Sequence, residues 1–208
     1  MHRQTMSITP FDQHWFHVIN NWTQVSPFLN DLGKILAKGA PELWALVFLL
    51  LWFWPPRVRS QTREAVVFAI VAGAVALVIN LVLGHFFYRP RPFVFEPQEV
   101  HQLLQHARDS SFPSDHAAGS FGFATGLFYA RTRDGIYGIL FAAAVAVARV
   151  FVGLHWPTDV LTGAGIGIIA GVVVLGLRHQ LKWLVNLGYA IFRFPPPVSR
   201  YRSRLRMD

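Results

Sequence analysis

Cysteine is missing from this 208-residue chain, which removes disulfides, thiol catalysis and thiolate metal sites from consideration. Charge is scarce as well. Asp, Glu, Lys and Arg together make up 14% of the residues while 53% are hydrophobic, and an ordinary soluble domain carries roughly 25% charged residues. So little charge, with long uncharged runs, points to a polytopic membrane protein. Acidic residues are the scarcer sign, 11 against 19 Lys and Arg, for a net charge of +8. An excess of this kind can mark a nucleic-acid binder, but no basic stripe with interleaved aromatics is present, and no nucleic-acid partner is expected. Most of the arginines stand between or after apolar segments, where membrane topology accounts for them. The opening MHRQTMSITP has no apolar core, so a cleavable signal peptide is not expected.

In chain order, the segment FDQHWFHVINNWTQ is aromatic on one side and polar on the other and reads as an interfacial helix. A first span is expected over residues 35–54, with Lys38 and Glu42 in its outer half. The loop PPRVRSQTR carries Arg57, Arg59 and Arg63. A second span runs from about Glu64 to Tyr88, with Asn80 as its clearly polar interior residue. A long polar connection follows, and a third span starts near Asp115 and ends at the ARTRDG turn. The fourth covers about Ile136 to Val152, and the fifth about Thr158 to Leu177. QLKWLVNLGYAIFRFPPP reads as a surface-lying or short sixth helix before a basic end. The expected fold is therefore all-α: a polytopic bundle of about five to six transmembrane helices with an amino-terminal interfacial helix, in a single domain over 1–208. Its parts are an interfacial segment over 1–34, a catalytic core over about 64–175 and a basic tail over 194–208.

Helices alternate direction, so the end of span two, the start of three, the end of four and the start of five share one face. The opposite face receives Arg57, Arg59, Arg63, Arg131, Arg133, Arg178, Lys182 and the arginine-rich tail, which makes it the cytoplasmic one. YRPRPF, SSFPSDH and VARVFVGLHWPTD then gather on the extracytoplasmic side.

His155 and Asp159 are four residues apart and stack on one helical face. Such a carboxylate can bond one ring nitrogen and aim the other outward as a nucleophile or base; a purely structural hydrogen-bonded pair has the same spacing. Gly163, Gly167 and Gly171 continue the stripe as a close-packing surface, since no strand precedes them to make a nucleotide loop. Arg91 and Arg149 could each simply snorkel at the membrane surface. Beside a histidine–aspartate pair they suit phosphate oxygens, which forked guanidiniums match. Ser114 suits a helix N-cap and, with the free amides of that helix start, an anion ligand. His116 is either a polar residue at a helix start or a general acid for a leaving oxygen. Two histidines and an aspartate could also hold zinc, but two arginines beside them would repel a divalent cation, and no metal is expected.

Arg91-Pro92, then Pro113-Ser114-Asp115-His116, then Arg149 with His155 and Asp159 resemble the three-part signature of the type 2 phosphatidic acid phosphatase superfamily, over about residues 64–175. FYRPRPF and HARDSSFPSDHAAG look most like the undecaprenyl-pyrophosphate phosphatases of the bacitracin-resistance type, a likeness that extends to the amino-terminal FHVINNWTQVSPFLNDLGKILAKGAPELWALVFLLLW. The resemblance implies a metal- and cofactor-independent phosphatase of the bacterial inner membrane. Its substrate would be a polyprenyl pyrophosphate lipid, recycled as carrier for cell-wall synthesis with bacitracin tolerance as a result. It also implies that His155 attacks the terminal phosphorus and Asp159 orients it. Arg91, Arg149 and Ser114 would hold the phosphoryl oxygens, and His116 would protonate the leaving group. The broad family's lysine, seven residues before the motif arginine, is replaced here by Gly84, or by Val82 counting from Arg89. His85 and Arg89 are candidates to stand in, and Asp115, in place of the usual glycine, joins the phosphate-binding candidates. Ala148 stands where a serine usually precedes the third-motif arginine. A broader lipid phosphatase, a lipid phosphotransferase and a silent anion-binding membrane protein are the alternatives.

Overall fold

The computed structural model describes residues 4–53 and 60–192. Arg57, Arg59 and the basic tail over 194–208 lie outside the described residues. Four helices among the described residues are long and apolar enough to cross a bilayer: α2 (Pro27–Phe53), α3 (Ser60–Phe86), α6 (Thr132–Phe151) and α7 (Pro157–Gly176). Between them stands α5 (Asp115–Leu127), packed against α7, α3 and α6. At 1.5 Å per residue it is only about 20 Å long, and nine of its 13 residues are buried. It fills the place of the third span as the central post of the bundle. The sixth expected helix is α8 (Lys182–Ile191), which lies against α3 and is too short to span.

Small residues let the helices close on α5. A Cβ at Gly167 would come within 2.4 Å of the Ala118 carbonyl oxygen and 2.6 Å of the Gly122 nitrogen, so α7 meets α5 almost backbone to backbone, as small-residue stripes allow. At one end of the bundle the Tyr129 hydroxyl donates to Glu64 at 2.7 Å and the Tyr189 hydroxyl to the Ser60 carbonyl at 3.3 Å. These bonds bring the end of α5 and all of α8 to the start of α3. Arg131, Arg133, Arg178 and Lys182 stand at the turns of this same end.

The other end is built from loops and α1 (Pro10–Asn20), which a 3-10 turn over Asn21–Gln24 joins to α2. A short parallel pair, β1 (Gln4–Thr5) with β2 (Phe87–Tyr88), sets Arg89 at the exit of α3, ahead of the four-residue α4 (Pro92–Phe95). α1 is amphipathic, with Phe11, Trp15 and Trp22 exposed on and beside it and Asp12, Phe16 and Asn20 fully buried. Its Asp12 and Asn20 thus face the protein, while His14 stays exposed. Asn20 donates to the His101 and Phe151 carbonyls at 3.0 and 2.8 Å and accepts from the His101 amide at 2.9 Å, while Phe16 packs on Trp156 at 5.1 Å between ring centroids.

Candidate active site

Three segments meet at the α1 end. The Arg89–Arg91 strand exit follows α3, the stretch from Ser110 to His116 leads into α5, and residues 152–159 turn α6 into α7. Gly153 makes the last turn possible with φ +85°, a region open to glycine. A Cβ there would also come within 3.0 Å of Val100.

His155 sits where the three converge, almost fully buried. Its Nδ1 lies 2.8 Å from the Ser111 carbonyl, an acceptor that requires a proton on Nδ1 and leaves the lone pair on Nε2. Two guanidiniums face that lone pair, Arg149 at 3.1 Å and Arg91 at 3.3 Å. Both arginines are held from behind. Arg149 donates to the Ala37 carbonyl at 3.0 Å, and Arg91 donates to the Leu154 carbonyl at 2.9 Å, Asp109 at 2.8 Å and the Ser110 carbonyl at 3.2 Å. Burial holds the His155 ring well below the ordinary imidazole value, and Arg149 and Arg91 push it the same way against the Ser111 carbonyl. A neutral imidazole with its free nitrogen between two fixed cations is the arrangement an incoming phosphate requires: its oxygens can take the guanidiniums while the nitrogen meets phosphorus.

Ser114 is buried and caps α5, accepting from the Ala117 amide at 3.5 Å. His116, the second residue of α5, lines a cavity of about 170 Å³ with Asp115, Trp44, Leu77 and Phe123. Trp44 donates to Ser120 at 3.0 Å beneath it. Asp115 is exposed on its outer side and accepts from Asn80, whose amide also donates to the Pro113 carbonyl at 3.1 Å. Asn80, the polar residue of the second span, therefore fixes the loop entering α5.

One expectation changes. The hydrogen bond that sets the His155 tautomer goes to Ser111, and the nearest Asp159 oxygen is 3.9 Å from Nδ1. Asp159 accepts instead from the Trp156 amide at 2.9 Å and from Arg89 at 2.7 Å, and stands behind the ring without a hydrogen bond to it. Arg89 is buried, with its terminal nitrogens donating to Asp159, Thr158, Asp12 and the Ser7 carbonyl, while Arg91 and Arg149 are the guanidiniums that face His155. His85 is exposed on α3, where its ring meets Phe86 edge-on at 5.6 Å. The place of the absent lysine does face the site. A Cβ at Gly84 would stand 3.6 Å from the Phe112 carbonyl oxygen, in ordinary contact.

Helices that span a bilayer around a short buried post, with a histidine lodged between two arginines at one end, define an integral membrane protein with an oxyanion site. The chain belongs to the PAP2 superfamily, which matches residues 65–183. It is 29% identical to undecaprenyl-diphosphatase BcrC of Bacillus subtilis (strain 168), over 85% of this chain and 89% of that protein. It is 33% identical to YbjG of Escherichia coli (strain K12), over 89% and 93% respectively. Among solved structures, that of LpxE from Aquifex aeolicus superposes with a TM-score of 0.65 at 30% identity, covering 82% of this chain and 99% of that one.

Proposed function

We propose that the chain hydrolyses undecaprenyl pyrophosphate to undecaprenyl phosphate and inorganic phosphate through a phosphohistidine on His155, without a metal. The observation that carries this reading is the His155 Nε2 lone pair, 3.1 and 3.3 Å from the Arg149 and Arg91 guanidiniums, with Nδ1 anchored on Ser111. Nε2 attacks the terminal phosphorus, and the bond to the bridging oxygen breaks with its electron pair passing to the lipid phosphate. The two arginines and the Ser114 hydroxyl take the oxygens of the transferring group. Water then cleaves the N–P bond, releasing phosphate and restoring the imidazole. His116 stands on the cavity side as proton donor, a modest duty when the leaving group is itself a phosphate. The undecaprenyl substrate is supported by the likeness to BcrC, and an extracytoplasmic site by the arginines gathered at the opposite end. Recycling of the lipid carrier and bacitracin tolerance follow from that activity.

The test is phosphate release by purified protein in detergent with excess chelator, from undecaprenyl pyrophosphate and, beside it, phosphatidic acid. Release from the pyrophosphate at a rate at least tenfold higher, and its loss in His155→Ala, are expected. Release abolished by the chelator, or retained in the variant, would refute the assignment.

A further inference from the structure

Behind His155 lies a group of charges that the reaction as described does not use. The Arg89 guanidinium is shared by two carboxylates: one terminal nitrogen donates to Asp159, the other to Asp12 of α1. Both carboxylates are completely buried and Arg89 is 2% exposed. Asp12 is further fixed by the Thr158 amide and hydroxyl, at 2.9 and 2.8 Å, and by the Thr9 hydroxyl at 2.8 Å. Thr158 also links the two sides, since its hydroxyl accepts from Arg89 at 2.7 Å.

One carboxylate matched to one guanidinium would present His155 with a nearly neutral pair. Two carboxylates on one guanidinium leave a net negative charge, and Asp159 brings it to 3.9 Å from His155 Nδ1. The ring turns cationic as its nitrogen bonds to phosphorus, while Arg91 and Arg149 already press positive charge on its other side. A fixed negative group behind the ring offsets this where solvent cannot.

We propose that Asp12 is a positioning residue of the active site, which shares Arg89 with Asp159 and so keeps the negative charge of Asp159 turned to His155. The inference rests on His155 being the nucleophile. It makes the amino-terminal helix part of the catalytic apparatus and not only a membrane-surface element.

The test uses the full chain in detergent on undecaprenyl pyrophosphate, with thermal unfolding recorded for each variant. Asp12→Asn is expected to lower kcat by about 10- to 100-fold, by analogy with the outer partners that orient metal-ligating side chains, with KM within about twofold. Asp12→Glu, which keeps the charge, is expected to recover much of the loss. His17→Ala removes one of the two α1 contacts to Glu96, the 2.9 Å approach of ring nitrogen and carboxylate, and leaves the Gln13 amide donating at 2.6 Å; it is expected to keep kcat. In an Asp159→Asn background, Asp12→Asn is expected to add little. Should Asp12→Asn fail to fold, the nearly isosteric Thr158→Val removes the hydroxyl joining Asp12 to Arg89 and is expected to lower kcat without changing KM. A kcat within twofold of the parent for Asp12→Asn, or for Thr158→Val where the former does not fold, overturns the proposal. So does an equal loss in His17→Ala, which would make α1 a tether. Activity retained in His155→Ala would overturn the nucleophile reading first and this inference with it.

Discussion

At His155 desolvation and two guanidiniums act in the same direction, and both favour the neutral ring. The sign of the pH dependence follows. The neutral form attacks, and protonation is made harder than in water, so the acid limb of kcat/KM should lie below the free imidazole value of about 6.5. A pH–rate profile with its acid limb at or above that value would mean the ring is not held as described. Most of this cluster was legible in the sequence because its chemistry is carried by side chains in three short motifs. The Ser111 carbonyl was not, because a backbone acceptor leaves no trace in residue type. Asp12 was hidden for another reason: its partner Thr158 is 146 positions away, and one aspartate on an amphipathic helix looks like solvent-facing polarity until the helix is turned over. Arg89 offers the same fork as Arg91, two residues on in the Arg-Pro-Arg-Pro run, and only the fold shows that its terminal nitrogens reach Asp12 and Asp159.

Helix α5 is central because its sequence is poor in bulk. AAGSFGFATG lets α3 and α7 come within backbone contact, and the glycine stripe of α7 answers it. Gly167→Ala would drive a methyl to 2.4 Å from the Ala118 carbonyl oxygen, and crowding of this kind costs roughly 1–3 kcal/mol. Gly165 lies on the same helix with nothing within 4 Å, so Gly165→Ala should leave stability unchanged or slightly raised. Thermal unfolding of both in detergent checks this, and equal losses would mean the stripe is not a packing surface. The small-residue face was readable from periodicity. The bounds of α5 were readable too, from the polar loop before it and the ARTRDG turn after it; that so short a helix stands buried at the centre of the bundle was not, because centrality depends on what packs around it. The start of α2 at Pro27 was obscured by Lys38 and Glu42, which are exposed near the middle of that helix.

For the whole molecule, the cationic turns and the histidine–arginine cluster occupy opposite ends, and a chain without cysteine allows a clean test of which end is outside. Gln98 is exposed near the cluster and Arg133 is exposed at the opposite end. A cysteine placed at Gln98 should react with a membrane-impermeant maleimide in intact cells, whereas one at Arg133 should react only after permeabilisation. The reverse pattern would place the chemistry in the cytoplasm. The bundle, its helix order and the gathering of its polar segments at one end could be read from hydropathy and the alternation of helix direction, since lipid imposes those directly. The docking of α1 over the loops could not, because it depends on surfaces that exist only once the bundle has closed.

The embrace of Asp12 and Thr158 also orders events during synthesis. α1 emerges before any spanning helix, while the turn into α7, which supplies His155, Thr158 and Asp159, emerges after α6. The earliest helix must wait for the turn into α7 to be made before its carboxylate meets this partner. The contact between Asp12 and Thr158 therefore forms late, and its presence marks a chain whose four long helices have begun to assemble.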